Sequence, residues 1–134
     1  MATLTPTLTL ASTDISASET LNLTLTDSLS VLGPVETKRM TINSGSSDVG
    51  ADNTAFAAGS YTISYVLLYN TSTAASGEII TIGKTDSDGT LAETNMSLNP
   101  GEFAFFPWDS TVSLVADASS GTPVLEARIF QAAA

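Results

Sequence analysis

The chain has 134 residues, no cysteine and no histidine, and its four Lys+Arg against 14 Asp+Glu give a net charge of -10. That charge repels phosphate backbones and anionic headgroups, so neither nucleic acid nor a membrane surface is an expected partner. The missing thiols and imidazoles remove disulfide frameworks, thiol catalysis, the usual general base and the commonest metal ligand.

The length makes one domain, residues 1–134, whose core needs no staple. Only 13% of residues are charged, about half the usual share, the difference being made up by Ser, Thr, Ala and Gly, as in packed β proteins. The start, MATLTPTLTL, has neither the basic n-region nor the apolar run of a signal peptide, so the protein is expected to be made in a cytoplasm.

From Thr3 to Val31, Leu8 and Leu10 alternate with Thr, and Leu21, Leu23 and Leu25 alternate with Asn22 and Thr24. This predicts an antiparallel pair of half-buried strands with Thr and Asn outward. Pro6 lacks a ladder donor, so residues 1–12 read either as an edge strand or as an amino-terminal arm that docks in its own or a neighbouring subunit. Gly33-Pro34 is expected to break the pattern before Val35 to Ile42 resumes it. Lys38-Arg39, half of the positive charge, reads as a solvated strand face rather than a partner contact.

Asn43 to Gly59 reads as a long loop or two turns around a short strand, and its Asp48 and Asp52 supply too few oxygens for calcium. Ser60 to Asn70 (SYTISYVLLYN) reads as the central strand, with Tyr61, Ile63, Tyr65, Leu67 and Tyr69 on one face and Val66 and Leu68 on the other. The tyrosine row fits core packing better than a carbohydrate platform. Glu78 to Ile82 is a short strand. Asp86-Ser87-Asp88-Gly89 fails as a calcium loop, because Lys84 and Asn95 would fill its end positions, and Asp88-Gly89 reads as a hairpin turn.

Asn99-Pro100-Gly101-Glu102 has the proline and glycine placement of a type II turn, so a strand is expected from Glu102. Within Phe103 to Trp108 the period of two puts Phe103 and Phe105 on one face and Ala104, Phe106 and Trp108 on the other, so both faces want cover. One side suits the core and the other a second layer, a partner or a ligand. The interface candidates are therefore Phe103, Phe106, Trp108, Tyr69 and Pro6. Thr111 to Ala116 follows with Val112 and Leu114 inward. Val124 to Phe130 then sends Leu125, Ala127 and Ile129 inward and lets Glu126 pair with Arg128 outside.

About nine short strands and no 3.6-residue period predict an all-β, antiparallel β-sandwich of jelly-roll type, with an immunoglobulin-like sandwich as the alternative. There is no G-x-S-x-G elbow, phosphate-binding loop or dinucleotide fingerprint. Carboxylate pairs remain, but 14 acids make some close pair inevitable, so the protein is not expected to be an enzyme. No catalytic residue, cofactor or metal ligand is assigned. The three Asn-x-Ser/Thr matches, at Asn22, Asn70 and Asn95, are compositional.

The opening LTPTLTLASTDISASETLNLTLTDSLSV and the closing LNPGEFAFFPWDSTVSLVADASSGTPVLEARIF resemble the terminal portions of small virion structural proteins of marine tailed bacteriophages. The resemblance covers about half of the chain. It implies a capsid decoration or cement protein that sits on the virion exterior as a homo-oligomer, often a trimer, bound to the major capsid protein. A tail or fibre component fits the same residues. Read from the residues alone, a carbohydrate-binding sandwich would use Tyr61, Tyr65, Tyr69 or Trp108 as stacking faces.

Overall fold

The computed structural model describes residues 1–13, 20–44, 53–61, 63–85 and 91–133. These form eleven strands: β1 (Ala2–Leu4), β2 (Thr7–Ser12), β3 (Leu21–Thr26), β4 (Leu29–Thr41), β5 (Thr54–Phe56), β6 (Ser64–Asn70), β7 (Ile80–Thr85), β8 (Leu91–Leu98), β9 (Phe103–Trp108), β10 (Leu114–Ala118) and β11 (Val124–Ala132). The Asp48, Asp52 and Asp88-Gly89 readings lie outside the described residues.

Every strand pair is antiparallel. One sheet has the order β1-β4-β11-β6-β9, a second has β5-β10-β7-β8, and β2-β3 stands as a separate ribbon. The two larger sheets face each other, because one core cluster takes Val66, Leu68, Leu125, Ala127 and Ile129 from the first and Ile80, Ile82, Leu114 and Ala116 from the second. The antiparallel sandwich predicted from the sequence is present.

Local sequence accounts for most elements. Leu125, Ala127 and Ile129 alternate with Glu126 and Arg128, and only the first three are buried, so β11 has a dry and a wet face. The 99–102 turn closes with the Glu102 N–H donating to the Asn99 carbonyl (3.0 Å), and Gly101 takes a φ of 79° that an L side chain would strain. The strand after it begins at Phe103, one residue later than predicted.

Four expectations about strand limits and order need correction. Gly33-Pro34 does not break the chain: β4 runs through it, accommodated by register shifts opposite Phe130 on β11. The centre of the larger sheet is β11, held between β4 and β6, whereas β6 lies one strand from the edge. Tyr61 and Ile63 precede β6 rather than extending its face. Val112 precedes β10 and is exposed, and Leu114 alone of that pair is inward.

Pro6 falls between β1 and β2. The segment before it pairs with β4 at the sheet edge, and the segment after it crosses to the ribbon. Within the chain, the first residues therefore pair with β4. No helix among the described residues is long and apolar enough to cross a membrane.

Candidate functional site

Two neighbouring strands present an aromatic surface on the outer side of the five-stranded sheet. Strand β6 sends Val66 and Leu68 into the core, so Tyr65, Leu67 and Tyr69 point away from it. Strand β9 pairs with β6 in a register that sets Phe103 opposite Tyr69, Phe105 opposite Leu67 and Pro107 opposite Tyr65. Side chains directly opposite on one face touch, so these six make one continuous apolar band. The Tyr65 and Phe105 rings lie nearly parallel, 15° apart with centroids at 6.2 Å. Phe103, at the end of the band, is 64% exposed.

The band is bordered by charge on the β11 side. Glu126 Oε1 lies 3.7 Å from Arg39 Nη1, and its Oε2 lies 4.0 Å from Arg128 Nη2. Two arginines share one carboxylate, leaving a local excess of positive charge in a chain of net charge -10. Leu67, Tyr69, Phe103, Glu126 and Arg128 enclose a shallow depression of about 190 Å³ there. Lys38, by contrast, faces the sandwich interior: its Nζ donates to the Ala55 carbonyl (3.0 Å), pairs with Glu36 (3.2 Å) and sits 5.4 Å from the Phe56 ring centre.

At the other end of the band, the base of the β2–β3 ribbon forms the second wall of a groove of about 550 Å³. Pro6, Leu8 and Leu25 face Tyr65, Phe105 and Pro107 across it. Leu8 stands opposite Leu25 and Leu10 opposite Leu23 on one face of the ribbon. These four leucines are between 39% and 56% exposed. The half-buried strands predicted here are thus an apolar ladder open to solvent within the single chain.

The predicted interface residues divide between two environments. Phe103 and Tyr69 lie on the outer band, and Pro6 lines the groove. Trp108 and Phe106 do not belong to that surface. Trp108 is 6% exposed within the core, its ring 5.9 Å from that of Phe56, and Phe106 packs against the same cluster. Strand pairing decides this: Trp108 stands opposite the small, buried Ser64, and Phe106 opposite the buried Val66.

Comparison with protein-family models, curated proteins and solved structures finds no match. Among the described residues no three His, Cys, Asp or Glu side chains gather as a metal site would require. Nor do the four candidate sugar-stacking rings share a platform. Tyr65 and Tyr69 are on the outer band and Trp108 is in the core. Tyr61 packs on the core with its hydroxyl donating to the Glu36 carboxylate. That bond holds the Glu36 carboxyl below its ordinary pKa and pushes the Tyr61 phenol up to about 12, burial adding to the phenol's shift.

One residue that sequence reasoning passed over holds the sheet that carries the band. Asn70 ends β6 on its buried face and ties the sheets together, and the signal was a polar residue in phase with Val66 and Leu68. The ribbon leucines were visible as alternation, but nothing local told that their face lacks a layer of its own.

Proposed function

We propose that the protein is a virion structural protein, a capsid decoration protein that binds the outer capsid surface as an oligomer and stabilises the shell. The observation that carries this is the continuous aromatic band Tyr65–Leu67–Tyr69 and Phe103–Phe105–Pro107 on an all-β scaffold. An exposed apolar area of this kind marks a contact with another macromolecule. The resemblance of both chain ends to small phage virion proteins supplies the setting. The major capsid protein is the partner: the Tyr69–Phe103 end of the band meets an apolar surface, and Arg39 and Arg128 meet carboxylates at its rim.

Such a protein needs no catalysis. A ligand that binds the assembled lattice and not its separated subunits stabilises the lattice by mass action, by about 2.7 kcal/mol per site at a concentration a hundred times the Kd.

The test is the copy number relative to the major capsid protein in purified particles of the source virus, by quantitative mass spectrometry. A ratio set by the capsid lattice is expected. A few to a few dozen copies per particle would move the protein to the tail or a fibre, and absence from the particle would overturn the virion reading.

A further inference from the structure

The β2–β3 ribbon is the part of the molecule whose surface makes least sense in a single chain. A two-stranded ribbon alone is marginal in water and gains stability when its apolar face is covered. Here Leu8, Leu10, Leu23 and Leu25 share one face, and all four are exposed. The pair nearest the base, Leu8 and Leu25, looks across the 550 Å³ groove at Tyr65, Phe105 and Pro107. Further along the ribbon, Leu10 and Leu23 continue the same face beyond the residues that line the groove. One molecule thus carries an apolar projection and, beside it, an apolar slot.

We propose that the slot receives Leu10 and Leu23 of a second copy of this chain, so that copies join head to tail through their ribbons. This rests on the reading of the protein as one that assembles, and it names the contact. A second copy is the occupant because the chain itself carries both halves, the exposed leucine projection and the apolar slot, and charge leaves those two surfaces as the place for the contact. Two chains of net charge -10 repel each other over most of their surface. Strands Thr7–Ser12 and Leu21–Thr26 contain no ionisable side chain, and among the described residues Asp27 is the one acidic residue lining the groove. Ribbon and slot are therefore where like copies can approach closely. A basic partner would instead be drawn to the acidic remainder.

Projection and slot are different surfaces, so the contact is heterologous. Repeated, it closes into a ring when the rotation between copies permits. The Tyr69–Phe103 end of the band stays free for a different partner.

The experiment uses the full chain in sedimentation velocity over a concentration series, with two variants. Leu10→Thr/Leu23→Thr removes the projection while keeping β-forming residues, and Phe105→Ser removes a wall of the slot. Buried Trp108 reports by fluorescence that the sandwich is intact. The wild type is expected to associate, and each variant to lose association by at least about thirtyfold, the effect of removing a contact hot spot. Mixing the two variants should give one-to-one dimers and nothing larger, since one supplies the intact projection and the other the intact slot. Because the chain has no cysteine, Leu23→Cys/Phe105→Cys offers a readout independent of those variants: disulfide-linked multimers are expected under oxidation.

A projection variant that associates like the wild type, or a mixture that stays monomeric, overturns the head-to-tail contact. If Tyr69→Ser/Phe103→Ser abolishes assembly while the projection variant does not, this inference falls and the proposed function stands. A wild type that is monomeric at every concentration removes both the contact and the oligomeric reading.

Discussion

The side-chain amide of Asn70, at the end of β6, donates to the main-chain carbonyl of Leu98 at the end of β8 (3.0 Å), joining the two sheets of the sandwich. The same nitrogen donates to the Glu78 carbonyl (2.9 Å), and the amide oxygen accepts from the Ser72 N–H (3.0 Å). Asn70 is fully buried and Leu98 nearly so, so the Leu98 carbonyl has no easy access to solvent. Replacing it with Ala leaves two carbonyls and one N–H without this partner. Asn70→Ala is expected to lower stability by about 2–4 kcal/mol, read from urea unfolding.

Trp108→Ala separates core from interface. With its ring packed on Phe56 and 6% exposed, the tryptophan should contribute to folding and not to association. The variant is expected to lose about 3–5 kcal/mol of stability. Sedimentation of the fraction that remains folded should show unchanged association, whereas a folded variant that fails to associate would return Trp108 to an interface.

Gly83 lies where β7 and β8 shift register, and a Cβ there would stand 1.7 Å from the Glu93 carbonyl oxygen. No side-chain rotation relieves a clash with backbone. Gly83→Ala should destabilise by at least about 2 kcal/mol, measured as a lower melting temperature, while Gly59→Ala, at a position with open space around it, answers only for its positive φ.

The Tyr61–Glu36 hydrogen bond predicts two pH windows. The phenol's pKa is raised from 10.0 to about 12 in the folded chain, so its contribution is complete below pH 10 and is lost as pH rises towards 12. Glu36 is shifted the other way, first by the Tyr61 hydroxyl and also by Lys38, so its contribution is present above the ordinary carboxylate range and lost as pH falls through its lowered pKa. Tyr61→Phe should be less stable than wild type near neutral pH, with the gap in urea midpoint narrowing at both extremes. A gap independent of pH would mean the bond does not form in solution.

The outer face was half legible. Alternation in Phe103–Trp108 showed two apolar faces, and the pairing of Glu126 with Arg128 on the wet side of β11 was readable from spacing alone. Which of the two aromatic faces meets solvent was not. A period of two fixes which residues share a side and leaves open which side the second sheet will cover. The tyrosine row failed for a related reason: alternation was carried back to Tyr61, but the strand begins at Ser64 and the preceding segment turns Tyr61 onto the core.

Composition, strand periodicity and turn chemistry determined by themselves that this is an antiparallel all-β chain, that Leu125, Ala127 and Ile129 are core, and that residues 99–102 turn. Those are short-range properties, set by steric preference and by the demand that apolar side chains alternate. Tertiary structure alone decided that Trp108 is inside, that Asn70 clamps the sheets and that the leucine ribbon stands apart from both. Each depends on which strands become neighbours, and the free energy of burying one face against another is a sum over distant contacts that no local window contains.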